Sequence, residues 1–311
     1  MNAVHQLNYF IEEEKSFFKT LLYFDIFSYP LTAKEIAQYS SVVFNSSPEQ
    51  VLEFWVSQKV VFQIQGFYSL QNKFDLVERR LKGNLLAGQK MKTAKKVSWF
   101  LHRLPFVRAV MLSGSISKGF MDEKSDIDYF IITEANRLWL VRTLLAIFRR
   151  VFLFNSHKNL CTNYFVDTQN LEIAEKNIFT ATELCTLKPM CGKAFIENFL
   201  SANSWTTSFL PLHQTPTIYE VDSPSIIKNL GEKIFPSRFL DRVNRWLMKK
   251  TLSYWKKKYG KEMNANDFEV AFRSTVGVSK SHPQFFQKKV LSRLDQKIKE
   301  FEIRNGIDLS L

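Results

Sequence analysis

The chain has 311 residues, 45% of them hydrophobic, which is enough for more than one packed core. Its 29 Phe, 10 Tyr and 6 Trp against 10 Gly and 9 Pro exclude a disordered or low-complexity chain. The formal net charge of +13 points to an anionic partner, whether nucleotide, nucleic acid or membrane surface, without choosing among them.

In chain order, Phe17, Phe18, Leu21, Leu22 and Phe24 fall on one face of a helix over residues 12–27. After Tyr29-Pro30, Thr32 stands three residues before Glu35, a capping-box pattern that starts a second helix. Ser47-Pro48 opens a third, and VVFQIQGFYSL alternates as two strands around Gly66. This element order and the LTAKEIA segment resemble a winged helix-turn-helix over residues 1–75. Such a module can read DNA through its third helix. Here that helix offers Lys59 as its one cation, so a packing or substrate-positioning role is preferred.

Asp75 to His102 reads as a long helix into the next domain, and VRAVMLS as a buried strand. The most apolar stretch, Leu138 to Phe154, is broken by Arg142, Arg149 and Arg150, so no transmembrane helix is expected. The N-terminus lacks the pattern of a secretory signal, and Cys161, Cys185 and Cys191 form no CxxC pair. A cytoplasmic location is the expectation, with the cysteines as small core residues.

The chemistry lies in VRAVMLSGSISKGFMDEKSDIDYFIIT. Gly114 lets the backbone approach a ligand, and Ser115 and the amides after it can donate to phosphate oxygens. Lys118 adds a positive charge. Asp126 and Asp128, two apart on a strand, send both carboxylates to one face while Ile127 enters the core. Two hard oxygen ligands on one face suit Mg²⁺.

The Gly-Ser pair, ten intervening residues and Asp-Ile-Asp before an apolar strand resemble the motif of the DNA polymerase beta-like nucleotidyltransferase superfamily, directly over residues 107–132. The resemblance implies a nucleoside triphosphate held by Gly114 and Ser115, and Mg²⁺ or Mn²⁺ held by Asp126 and Asp128. A hydroxyl acceptor would take the nucleoside monophosphate and release pyrophosphate. Members commonly supply a third carboxylate from a later strand, here NLCTNYFVD, whose middle offers Asn163. Asp167 has the same strand parity as Asn163 but lies about 13 Å further along. Asp167 is the candidate third catalytic acid, Glu172 an alternative, and no third acid the remaining one.

Residues 174–311 read as mainly helical. The run 236–300 holds 16 Lys/Arg against 6 Asp/Glu, and Trp246, Tyr254 and Trp255 beside Lys256-Lys257-Lys258 form a surface for nucleic acid or an anionic membrane, or packed core beside solvated charge. HPQFFQKK, with His282, reads as a helix start. The expectation is an α+β protein with three domains: a winged helix over 1–75, a nucleotidyltransferase core over 76–173 and a helical domain over 174–311. Its function is nucleotidyl transfer to an unidentified hydroxyl. The alternative is a catalytically weak nucleotide sensor whose winged helix contacts nucleic acid.

Overall fold

The structure, a computed structural model, describes residues 3–44, 47–214, 225–234, 236–261, 263, 268, 271–281 and 286–310. It is a mixed α+β protein. Helix α1 (Ala3–Asp25) leads into α2 (Ala33–Gln38), whose capping box forms as the sequence predicts. There the Thr32 amide donates to Glu35 Oε2 at 2.8 Å and the Glu35 amide to Thr32 Oγ1 at 3.3 Å. Helix α3 (Pro48–Ser57) follows, then the hairpin of β1 (Phe62–Ile64) and β2 (Phe67–Ser69). Its two turn residues, Gln65 and Gly66, both have positive φ (52° and 79°), the geometry that matches strand twist in a two-residue turn.

Helix α4 (Phe74–His102) leads to β3 (Val107–Ser113), the four-residue α5 (Gly114–Ser117) and β4 (Asp128–Thr133). Then come α6 (Leu138–Phe152), β5 (Cys161–Asp167), α7 (Ile178–Cys185), β6 (Lys188–Cys191) and α8 (Lys193–Ala202). The chain closes with α9 (Ile226–Lys233), α10 (Ser237–Tyr259), β7 (Val278–Lys280) and α11 (Phe286–Asn305). Helix α11 begins inside HPQFFQKK, while His282 lies outside the described residues.

The sheet order is β6-β3-β4-β5-β7, mixed because only β4 and β5 run parallel. Strand alternation sorts its side chains onto two cores. Val110, Leu112, Tyr129, Ile131 and Phe165 pack with Leu101 of α4, Trp139 of α6 and Trp255 of α10. Ala109, Met111, Phe130, Ile132 and Val166 pack with Leu184 of α7 and Phe199 of α8.

The expected division at residue 173 needs correction. Residues 188–191 and 278–280 supply both edge strands of this sheet, so the segment after 173 completes the core rather than forming a purely helical unit. The N-terminal helices are tied to the C-terminus as well. Phe17, Phe18 and Leu21 share a core with Val290, Leu294 and Phe301 of α11, and Phe18 meets Phe301 at 4.8 Å between ring centroids. No helix among the described residues is long and apolar enough to cross a membrane.

Candidate active site

The chemistry-bearing residues gather where β3 ends and β4 and β5 begin. Ser113 pairs with Asp128, and Asp128 pairs with Cys161, so three strands set the Gly-Ser turn beside the aspartates. Strand β4 begins at Asp128, one position after Ile127, but the extended pairing continues upstream. The Ile127 amide donates to Lys158 O and the Cys161 amide to Ile127 O, each at 3.0 Å. Ile127 is fully buried, and Asp126 falls by alternation on the face of Asp128.

Gly114 turns the chain into α5 with φ of +67°, and a Cβ built there would stand 2.6 Å from Asp128 Oδ2. A side chain at 114 would therefore meet backbone strain and a carboxylate together. The loop after α5 is pinned to α4 by the Met121 amide on Gly83 O at 3.1 Å and by Asn84 Nδ2 on Gly119 O at 2.6 Å.

Burial pushes the Asp128 carboxyl up to about 6, and the nearby Asp126 and Glu183 carboxylates add to the rise. The Cys161 thiol hydrogen bond and Lys118 act against it. Asn163 reaches the same place, its Nδ2 donating to Asp128 Oδ1 at 3.3 Å and to Cys161 Sγ at 3.1 Å. The pairing of β5 with β4 shifts register between Thr162 and Tyr164, which places Asn163 in a bulge, and bulges re-aim side chains in this way. Burial lowers the His157 imidazole, which lies 3.7 Å from Cys161 Sγ.

Asp167 is the sequence-predicted residue that the structure does not bring to the site. The bulge breaks the parity on which its selection rested, and Asp167 pairs opposite Thr133, five positions along from Asp128 and on the other face. That is roughly 17 Å of extended strand. Its carboxylate is 1% exposed and is used locally: Oδ1 accepts from the Gln169 amide and Asn170 Nδ2, and Oδ2 from the Asn136 amide. Asp167→Asn is therefore expected to cost about 1–3 kcal/mol of stability, because one acceptor oxygen becomes a donor. Thermal unfolding should show the loss while any activity per folded molecule is retained. An unchanged melting temperature with lost turnover would return Asp167 to the site. Glu172 is exposed and holds Lys176 at 2.8 Å, away from the aspartates.

A cavity of about 900 Å³ opens on this cluster, and Gly114, Ser115, Lys118, Asp126, Asp128 and Asn163 all line it. Lys118 is already engaged there, with Nζ at 2.8 Å from Glu183 Oε1 and 3.3 Å from Gly114 O. Glu183, on α7, is the acid that sequence reasoning missed, since it sits in IFTATELC, an ordinary helix by periodicity. Its proximity to Lys118 arises from chain 65 residues away.

Among the described residues no group of three or more His, Cys, Asp or Glu side chains could hold a metal ion. The donors at hand are two hard carboxylates and the Asn163 amide. That set fits Mg²⁺, which commonly takes one or two carboxylates and completes its shell from phosphate oxygens and water. The upward shift of half-buried Asp128, to which the Asp126 and Glu183 carboxylates add, is the observation that favours a cation. Comparison with known protein families, with curated proteins and with solved structures finds no match to this chain.

Proposed function

We propose that the protein is a metal-dependent nucleotidyltransferase of the DNA polymerase beta-like kind, moving a nucleoside monophosphate from a triphosphate to a hydroxyl acceptor. The observation that carries this reading is the convergence of Gly114-Ser115 with Asp126 and a half-buried Asp128, its carboxyl raised to about 6, at one end of a mixed sheet. Two acids so placed are unfavourable by themselves and become favourable when a cation neutralises them.

In this reading Asp126 and Asp128 hold Mg²⁺ or Mn²⁺. Bound there, the cation polarises the phosphoryl oxygens and offsets their charge. Gly114 leaves space for the phosphates, and Ser115 with the first amides of α5, which lack intrahelical acceptors, donates hydrogen bonds to them. Lys118 exchanges Glu183 for phosphate oxygens. The acceptor hydroxyl oxygen forms a bond to the α-phosphorus, the bond to the bridging oxygen of the β-phosphate breaks, and pyrophosphate leaves with that electron pair. Glu183, freed of Lys118, takes the hydroxyl proton. The first three helices and the hairpin fit a winged-helix module that walls the cavity through Tyr23, Phe24 and Phe27.

The test is incubation with each labelled triphosphate, Mg²⁺ or Mn²⁺ and candidate acceptors, read as pyrophosphate release and label transfer. Triphosphate binding with no transfer to any acceptor would favour the second reading, a nucleotide sensor. The observation on its side is Asn163, a neutral amide where an acid would help hold a second cation.

Nucleic-acid contact has a separate candidate surface. Trp255 is core, 5.0 Å from Phe272 between ring centroids, whereas Trp246, Tyr254 and Lys256, Lys257 and Lys258 are exposed on α10. Replacing the three lysines by Gln is expected to weaken retention of single-stranded DNA and lower the slope of log K against log salt by about 2, since each lost phosphate contact removes about 0.7. Nucleotide affinity should not change. Identical slopes in variant and parent would remove this surface from consideration.

A further inference from the structure

The cavity holding the Gly-Ser turn and the aspartates is aromatic and lined by more carboxylates than cations, although the chain as a whole carries +13. Its carboxylates are Glu35, Asp122, Asp126, Asp128, Glu175 and Glu183, against the cations Arg79, Lys118, Lys280 and Lys288. Most of these charges are paired: three of the cations are matched within the wall, and from outside it Arg80 holds Glu35 at 2.7 Å and Arg273 approaches Glu175 at 3.4 Å. Arg79 holds Asp122 at 2.7 Å, Lys118 holds Glu183 at 2.8 Å, and Lys280 holds Glu175 at 3.4 Å. Much of the basic excess lies elsewhere, as on α10 with Lys256, Lys257 and Lys258. A triphosphate entering this space consumes the charge of a cation on Asp126 and Asp128 and draws on Lys118 besides. An acceptor that carried a run of phosphates would then meet paired charges and the released Glu183 rather than the basic track that single-stranded nucleic acids require.

Much of the remaining wall is aromatic. Tyr23 and Phe24 of α1, Phe27 and Tyr29 after it, Phe179 of α7 and Phe286 of α11 all line the cavity. Their rings form a connected layer, with centroids of Tyr23 and Phe27 at 5.6 Å, Phe27 and Phe286 at 6.2 Å, and Phe179 and Phe286 at 5.9 Å. Three separate parts of the chain are brought together to build it. A volume of about 900 Å³ lies at the upper end of the range for small-molecule pockets, space for a nucleotide and one further small ligand.

From these observations we infer that the acceptor is a small, hydroxyl-bearing molecule, neutral or cationic, with a ring or apolar body seated on the aromatic layer, and is neither a nucleic-acid end nor a phosphorylated metabolite. This rests on the transferase reading above and narrows its substrate.

The experiment uses the full chain with Mg²⁺ and each α-labelled nucleoside triphosphate. Four acceptor sources are offered in parallel: a single-stranded DNA oligonucleotide with a free 3′-hydroxyl, total RNA, and the low-molecular-weight filtrate of a cell extract divided by ion exchange into an anionic pool and a neutral-plus-cationic pool. Label is expected in a new small product from the neutral-plus-cationic pool only. Phe27→Ala, with Phe27→Leu as the milder variant should the first fail to fold, is expected to reduce that transfer about tenfold at limiting acceptor while triphosphate affinity stays within twofold. Label on the oligonucleotide, on RNA or in the anionic pool would overturn the inference and leave the transferase reading standing. So would transfer unaffected by both Phe27 variants. Absence of label from every source would overturn both.

Discussion

Asp126→Asn and Asp128→Asn are each expected to lower metal-dependent nucleotidyl transfer about a thousandfold, since losing a charged metal ligand removes several kcal/mol of transition-state stabilisation. The same change at Asp128 should make the metal-free protein more stable at neutral pH. The folded-state carboxyl is raised to about 6 from the ordinary 3.8, chiefly by burial, so the fold favours its protonated form. For an acid shifted upward, the favourable contribution is fully present below the unfolded value and is lost as pH rises through the folded value. Ionised Asp128 therefore costs the apo fold up to about 3 kcal/mol at pH 7. Asn abolishes that cost, and the advantage should vanish as pH falls through 6 toward 4. Cation binding carries the opposite dependence: Mg²⁺ must displace the Asp128 proton, so its affinity weakens as pH falls through 6. Denaturant midpoints of parent and variant between pH 4 and 8, measured without metal, check the stability claim. Full activity in both variants would overturn the site assignment.

Local rules account for the parts of the fold that the sequence reveals. The capping box at Thr32 and the two-residue turn at Gln65-Gly66 are complete within a few residues, as is the alternation of Asp126, Ile127 and Asp128. Strands Lys188–Cys191 and Val278–Lys280 have only four and three residues, and they exist because β3 and β5 offer edges formed by distant sequence. No periodicity survives in segments so short. Asn163 illustrates another limit. Parity along an uninterrupted strand puts Asn163 and Asp167 on one face, but the register shift after Thr162 reverses that relation, and a bulge has no sequence signature in NLCTNYFVD. The docking of α1 against α11 is similarly hidden, because a helix shows that it has an apolar face without showing what covers it.

Glu183 has the same character, since its role depends on where α7 lies relative to Lys118, and Glu183→Gln is expected to separate chemistry from binding. If Glu183 takes the acceptor proton, turnover should fall by about 10²–10⁴, the usual contribution of a positioned general base. Triphosphate affinity should hold or rise, because Lys118, no longer held at 2.8 Å by Glu183, is available to phosphate oxygens. A ground-state gain beside a transition-state loss distinguishes this from damage to the fold, which would weaken both. Titration of Asp128 supplies a reading independent of acceptor identity: Glu183 contributes to its upward shift, so the glutamine variant should bring the Asp128 carboxyl down. Lys118→Ala should weaken triphosphate binding in the parent, and in the Lys118→Ala background the affinity gain from Glu183→Gln should disappear, since the two residues act on binding through one ion pair. Turnover in Glu183→Gln equal to the parent would show that Glu183 serves only to hold Lys118, leaving the acceptor or its own substituents to dispose of the proton.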